Sequence, residues 1–121
     1  APSGGYDGEA EYPRPLADRI VALQVDRTPG GAVVAATALP PTQGWWNAEL
    51  VPRARTAAGT PAAEDGAIVF DFRLVPPRPG ARTGPPVSRE VTAGTFLSDR
   101  ALAGVRQITV VGARNQRSAR R

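Results

Sequence analysis

The chain has 121 residues, with 15 basic residues against 11 acidic ones and a formal net charge of +4. This length suits one domain that buries about two-thirds of the surface exposed by its unfolded chain. Cysteine, histidine and lysine are all absent from the sequence. Their absence excludes disulfides, thiolate metal sites, histidine-dependent serine triads and lysine-dependent catalysis.

Residues 1–15 are small, acidic and rich in Gly and Pro, which predicts a flexible N-terminal tether. The chain begins at Ala1 and contains no Met, so we expect a processed or trimmed N-terminus, from which a removed leader would leave no trace in this sequence. The domain itself is predicted over residues 16–113. No stretch approaches the ~20 apolar residues that a membrane-spanning helix needs.

The first two strands are predicted on either side of a Gly-rich turn. Residues 19–25 alternate apolar and polar side chains, although a helical turn starting at Leu16 and capped by Asp18 fits the same stretch. The sequence TPGG at residues 28–31 indicates a reversal of the chain. Residues 32–39 are apolar on both faces and predict the second strand.

Residues 44–52, GWWNAELVP, predict a central strand that contains both tryptophans. Successive side chains of a strand point to opposite faces, so Trp46 is expected in the core and Trp45 outside. The Asp65-Gly66 pair predicts a turn that leads into the partner strand at residues 67–75, AIVFDFRLV, whose alternation is typical of a half-buried antiparallel strand. We expect Trp46 to pack against Phe70 or Phe72 of this strand.

The second half of the chain predicts two more strands. Residues 76–86 contain five prolines and predict an exposed, partly polyproline II loop. Residues 87–97 follow as a strand with a possible bulge at Gly94. A short helical turn is expected next, with Ser98 as its N-cap and Gly104 as its end. The last strand is predicted at residues 105–113.

Six strands without a long helix predict an all-β fold. We expect a single antiparallel β-sandwich, immunoglobulin-like or fibronectin-III-like, with long Pro/Gly-rich loops. A small closed barrel is the alternative. Neither architecture implies a function by itself.

Three segments carry a narrower resemblance: GWWNAELVP, FDFRLVPP and FLSDRALAGVR. Together they resemble uncharacterised envelope lipoproteins of alphaproteobacteria. In such proteins a lipidated cysteine precedes a tether like residues 1–15, and here it would lie just before Ala1. The resemblance implies a periplasmic or lipid-anchored location and no chemistry.

The charge of the chain is concentrated at its C-terminus. Residues 1–113 contain 11 arginines and 11 acids, so the excess lies in the basic tail predicted at residues 114–121. Four tail residues are candidates for contact with nucleic acid or another polyanion: Arg114, Arg117, Arg120 and Arg121. The alternative is a solvated tail, and the neutral remainder of the chain makes nucleic acid the less favoured partner.

Paired carboxylates are the remaining route to catalysis, and Glu49 and Asp71 are the candidates. An ion pair of each with Arg73, Arg89 or Arg106 explains them more simply. Residues 64 and 65 supply too few acids for calcium. The sequence therefore predicts no catalytic residue, cofactor, metal site or small-molecule substrate.

An outward-facing indole often marks a contact surface, and cover by a loop is the alternative. If a partner binds, the candidate surface comprises Pro41, Trp45 and Val51. The favoured function is a non-enzymatic envelope protein that binds or scaffolds another component, most simply a protein. The alternatives are a polyanion-binding accessory module and a carboxylate hydrolase.

Overall fold

The structure, a computed structural model, describes residues 14–120. Its strands are β1 (Ile20–Thr28), β2 (Gly31–Ala38), β3 (Trp46–Pro52), β4 (Ala67–Val75), β5 (Val91–Ser98), β6 (Gln107–Val111) and β7 (Gln116–Arg120). A four-residue helix, α1 (Asp99–Leu102), follows β5, and a 3₁₀ turn occupies Pro86–Ser88. Within this part of the chain, no helix has the length and apolar character needed to cross a bilayer.

The strands form two sheets, with the orders β1-β2-β5 and β3-β4-β6-β7. Apolar side chains from both sheets form one buried core. The all-β prediction of two packed sheets is confirmed, and the closed-barrel alternative is wrong. Strand β4 contributes most to this core because its alternate side chains are fully buried, namely Ile68, Phe70, Phe72 and Leu74.

One strand pair differs from the predicted antiparallel sandwich. Strands β4 and β6 pair in parallel, from Ala67 opposite Gln107 to Asp71 opposite Val111. The chain leaves β4, adds β5 to the other sheet and returns through α1, so β6 enters beside β4 in the same direction. Such a long crossover is what a parallel pair requires.

Two local turn predictions are confirmed and one bulge prediction is wrong. Asp65 and Gly66 have φ values of 54° and 81°, and Glu64 and Ala67 exchange both backbone hydrogen bonds around them. This pattern is typical of a two-residue hairpin turn with positive φ at both positions. The Ser98 hydroxyl accepts a hydrogen bond from the Ala101 amide at 3.2 Å, as an N-cap does. Gly94 lies in an unbroken register with β2 and forms no bulge.

The segment before β1 belongs to the second sheet. The Ala17 amide donates to the Phe72 carbonyl at 2.9 Å, and the Leu74 amide donates to the Pro15 carbonyl at 3.3 Å. Both bonds are made by residues of β4 that follow the part of the strand paired with β6. Of the tether predicted over residues 1–15, the first thirteen residues lie outside the described part, while Pro15 is bonded to the sheet.

The C-terminal residues form a strand, which corrects the tail predicted at residues 114–121. Strand β7 pairs antiparallel with β6, from Gln107 opposite Arg120 to Val111 opposite Gln116. The Asn115 side chain anchors its start, since it accepts from the Ile20 amide at 2.8 Å and donates to the Ile20 carbonyl at 2.9 Å. The sandwich therefore extends past the predicted boundary at residue 113.

Candidate interaction surfaces

The two tryptophans lie at a bulge that opens β3. Trp46 is opposite Val75 and Glu49 is opposite Arg73, so β3 advances three residues while β4 advances two. Asn47 provides the extra residue, with a φ of 53°. A single inserted residue reverses the alternation of side chains beyond it. Counting alternate residues back from the buried Leu50 therefore does not give the correct face for Trp46.

The predicted orientation of the indoles is wrong for this reason. Trp46 is 59% exposed, whereas Trp45 is partly buried against the core. The Trp45 Nε1 group donates a hydrogen bond to the Thr42 hydroxyl at 3.0 Å, which satisfies its only polar group. The indole available to a partner is Trp46, and sequence alternation alone gave no signal of the bulge.

The predicted surface of Pro41, Trp45 and Val51 is not one patch. Pro41 is exposed in the loop before β3, and Trp45 packs on the core. Val51 is half-buried opposite Asp71. Since its neighbour Leu50 is buried, Val51 faces away from the core that Trp45 contacts.

Arg14 fixes the bulge from the side. Its Nη1 group donates to the Asn47 carbonyl at 3.0 Å, and its Nη2 group forms an ion pair with Glu49. The Arg73 guanidinium in turn donates to the Arg14 carbonyl at 3.0 Å. The Asn47 carbonyl and the Glu49 side chain are thus both bonded to the segment that precedes β1, and these contacts brace the bulge next to Trp46.

The candidate carboxylates both have arginine partners. Asp71 forms ion pairs with Arg53 at 2.8 Å and Arg73 at 3.2 Å, so the predicted Asp71–Arg73 pair is confirmed. Glu49 pairs with Arg14, a partner outside the predicted set. Across residues 14–120, no three His, Cys, Asp or Glu side chains are grouped closely enough to hold a metal ion.

Three of the four candidate polyanion-binding arginines are described, and two of them have partners within the fold. Arg114 forms an ion pair with Asp18 at 2.8 Å. The Arg117 Nε group donates to the Ile20 carbonyl at 3.1 Å. Arg120 remains exposed on β7, and Arg121 lies outside the described residues. The three described arginines therefore do not form one free basic tail.

Arg120 lines a cleft of about 510 Å³ at one end of the second sheet. The other lining residues are Asp65, Gly66, Ala67, Arg106 and Gln107. The Arg106 Nη2 group reaches the Asp65 carbonyl at 3.4 Å, a long hydrogen bond. Arg106 and Arg120 form no ion pair with any carboxylate of residues 14–120, so the cleft has two uncompensated guanidinium groups and one acid.

The outer face of the three-stranded sheet is a further surface that the sequence-based reasoning missed. Strands β2 and β5 contain no charged residue. Val33 and Phe96 are directly opposite each other there, 38% and 53% exposed. The signal in the sequence was the alternation of residues 91–98, in which the small or polar residues share a face with Phe96.

No protein-family model, curated protein or solved structure matches this chain.

Proposed function

We propose that this protein is a non-enzymatic component of the bacterial envelope that binds or scaffolds another envelope protein through the surface around Trp46. The observation that carries the proposal is the 59% exposure of Trp46 on a bulge braced by Arg14. Tryptophan is enriched among the residues that dominate binding energy at protein interfaces. Bulges are a common device for re-aiming one side chain toward a binding partner.

The geometry of the bulge favours binding over a purely structural role for Trp46. An indole left in water forgoes the burial of a large apolar area. The positive φ of Asn47 adds backbone strain at the same place. If this position served only to fill the core, the fold would need neither the exposed indole nor the strained backbone.

The experiment is a recovery assay from the envelope fraction of the source bacterium. Three proteins are immobilised: the wild type, Trp46→Ala and the matched variant Phe96→Ala. Each variant lacks one exposed aromatic ring. We expect one protein band to be retained by wild type and Phe96→Ala and lost with Trp46→Ala. Equal recovery by all three would remove the case for this surface.

A second measurement uses the indole itself. In Trp45→Phe, Trp46 is the single tryptophan, because the chain contains two. Its emission should shift to shorter wavelength when the recovered partner is added, since the ring then leaves water. An unchanged spectrum in a mixture that forms a complex would place the contact elsewhere.

The proposed location is the periplasm, either free or anchored to a membrane by an N-terminal lipid upstream of Ala1. The resemblance to envelope lipoproteins and the Gly/Ser/Pro-rich composition of residues 1–15 support it. Reading the codons upstream of Ala1 tests it. Small residues followed by a cysteine are the expected result, and a cytoplasmic start at this position would contradict the location.

The finer fold class that we propose is an immunoglobulin-related sandwich. The grouping of the first, second and fifth strands in one sheet supports this class. The pairing of β4 with β6 departs from it, because in immunoglobulin domains the third strand lies beside the sixth. Nuclear Overhauser contacts between β6 and either β4 or β3 would decide which neighbour β6 has in solution.

Anion binding at the Arg106–Arg120 cleft is a second candidate function, supported by the two guanidinium groups that lack carboxylate partners among residues 14–120. Heparin and double-stranded DNA are suitable probes. Binding should weaken as salt rises, because it releases counterions. The variant Arg106→Gln/Arg120→Gln should lose binding, while Arg78→Gln/Arg82→Gln, with the same charge removed from an exposed loop, should keep it. Equal weakening of binding by both double variants would indicate that binding depends on net charge alone.

A further inference from the structure

Three strands bring their ends together at the cleft that Arg106 and Arg120 line. Strands β4 and β6 are parallel, and their first residues, Ala67 and Gln107, are opposite each other. Strand β7 is antiparallel to β6 and ends with Arg120 opposite Gln107. The turn before β4, the start of β6 and the end of β7 therefore converge at one end of the sheet, although they are far apart in the chain.

Arg106 is held in position by the backbone of the turn before β4. The Arg106 amide donates a hydrogen bond to the Gly66 carbonyl at 2.7 Å, and the Arg106 Nη2 group reaches the Asp65 carbonyl at 3.4 Å. The guanidinium packs directly on Gly66, because a Cβ atom at Gly66 would lie 2.8 Å from Nε and 2.9 Å from Nη2 of Arg106. A guanidinium group has five N–H donors, so most of them remain free for a ligand.

The second guanidinium group is not engaged within the fold. Arg120 is exposed at the end of β7, and its side chain forms no ion pair with residues 14–120. Guanidinium groups bind phosphate oxygens through pairs of parallel hydrogen bonds. A phosphomonoester carries a charge of about −1.5 to −2 at pH 7, which matches the two positive charges of Arg106 and Arg120.

The cleft also offers hydrogen-bond acceptors. Asp65 lines it and has no ion-pair partner among residues 14–120, so its carboxylate is available. The Gln107 Nε2 group donates to the Thr109 and Ser118 hydroxyls at 3.2 and 3.3 Å, which leaves the amide oxygen of Gln107 to accept from a ligand. The hydroxyl groups of a sugar are suitable donors for both acceptors.

The remaining lining favours a hydrophilic ligand. Among the residues that the structure describes, Ala67 is the one apolar side chain of the cleft, and no aromatic ring lines it. A nucleobase would therefore have no ring to stack on, and an acyl chain would bury little apolar area. The volume of about 510 Å³ is typical of a small-molecule site.

We propose that this cleft binds a sugar phosphate, with the phosphate between Arg106 and Arg120 and the sugar hydroxyls on Asp65 and Gln107. The proposal rests on anion binding at the cleft, the second candidate function above, and names the ligand class. A long polyanion fits the site less well, because its neighbouring charges would approach the Asp65 carboxylate.

Calorimetric titration of the whole chain with glucose 6-phosphate, inorganic phosphate and glucose is the first test. We expect glucose 6-phosphate to bind roughly tenfold more tightly than inorganic phosphate, because it adds a hydrogen bond to a charged group. Glucose alone should give no measurable binding. The variant Arg106→Gln/Arg120→Gln should lose both phosphate ligands, and the control Arg78→Gln/Arg82→Gln, changed at exposed positions of a loop, should keep them. Equal weakening by the two variants would overturn the proposal.

The variant Asp65→Asn separates the sugar contact from the charge. Asparagine tolerates the positive φ of 54° at this position, so the turn should be preserved. Removing the negative charge should tighten the binding of inorganic phosphate, while losing the charged acceptor should reduce the preference for glucose 6-phosphate. A preference that stays at its wild-type value would show that Asp65 does not contact the sugar, contrary to the proposal.

Amide resonances provide a readout on the wild type that needs no substitution. Glucose 6-phosphate should shift the Gly66 and Gln107 signals, and binding that leaves both unchanged would place the ligand elsewhere and overturn the proposal. Retention by vesicles that contain phosphatidylinositol 4-phosphate, without binding of glucose 6-phosphate, would assign the cleft to a lipid headgroup and overturn it too.

Heparin separates this proposal from the function on which it rests. If heparin binds through Arg106 and Arg120 but glucose 6-phosphate binds no more tightly than inorganic phosphate, the sugar phosphate is overturned and anion binding stands. If neither heparin nor the phosphates bind, both are overturned. These outcomes are independent of the Trp46 proposal, because the cleft variants leave that indole unchanged.

Discussion

Asn47 determines which way a tryptophan points at the surface of this protein. Its φ of 53° places one extra residue in β3, and the indole of Trp46 consequently points into solvent. Asparagine tolerates this left-handed conformation better than other non-glycine residues. The backbone carbonyl of Asn47 accepts a hydrogen bond from Arg14. The local sequence therefore permits the bulge, and a segment distant in the chain stabilises it.

Replacing Asn47 tests this account. Asn47→Val should lower the free energy of unfolding by roughly 1–2 kcal/mol, because a β-branched residue fits the left-handed region poorly. Asn47→Gly should be close to neutral, since glycine adopts positive φ freely. Urea denaturation of both variants gives the comparison, and an equal loss in the two would argue against backbone strain at this position.

The two tryptophans should contribute very differently to stability. Trp45→Ala removes a ring packed against the core and should cost roughly 2–4 kcal/mol, less than a fully buried tryptophan. Trp46→Ala changes an exposed residue and should stay within about 0.5 kcal/mol of wild type. Chemical denaturation followed by circular dichroism measures both. A larger loss for Trp46→Ala would restore the orientation predicted from alternation.

At the scale of elements, β7 shows how little hydrophobic pattern an edge strand needs. Its sequence is QRSAR, and Ala119 is its one apolar side chain. The strand forms because β6 beside it is strongly apolar and offers a full row of backbone partners. The Thr109 and Ser118 hydroxyls, 2.8 Å apart, add a cross-strand hydrogen bond on the outer face.

Deleting residues 114–121 should therefore destabilise the domain instead of trimming a tail. The truncation removes the β6–β7 backbone hydrogen bonds, each with a net value of about 1 kcal/mol, and the Asn115 anchor on Ile20. Arg120→Gln changes the charge and keeps the strand, so it is the matched control. Thermal unfolding should show a clear fall for the truncation only, and a similar melting temperature for both would contradict the role of β7.

At the scale of the whole molecule, one core joins the two sheets. Leu97 of β5 and Ile108 of β6 belong to different sheets and to the same buried cluster. Small domains of this kind usually unfold in one cooperative step. The faces that each sheet turns away from the core differ, since one has ion pairs around Asp71 and the other has the uncharged strands β2 and β5.

A shared core predicts a shared transition. Leu97→Ala and Ile108→Ala should each lower the free energy of unfolding by roughly 2–5 kcal/mol, because both leave a cavity in the same core. Val87→Ala, at a side chain that is 76% exposed, should change it by less than about 0.5 kcal/mol. Circular dichroism and tryptophan fluorescence should give coincident curves. Separate transitions for the two core variants would indicate sheets that unfold independently.

Local patterns predicted much of the fold. Residues 67–75 are a strand as their alternation indicates, and the turn at residues 65 and 66 follows from Asp-Gly chemistry. The candidate sites were harder to predict. The Asp71–Arg73 pair follows from opposite charges two residues apart on one strand, whereas the exposure of Trp46 and Phe96 became visible only with the strand pairing.

The sequence by itself determined which segments are extended, where most of them turn, and which chemistry the chain lacks, because these properties depend on neighbouring residues and on composition. Only the tertiary structure decided which indole faces water, that β4 and β6 run parallel, and that the basic C-terminus completes a sheet. Each of these depends on contacts between residues far apart in the chain. Alternation defines two faces of a strand, but a bulge, a crossover or an unpaired neighbouring strand decides which face is buried and what lies beside it.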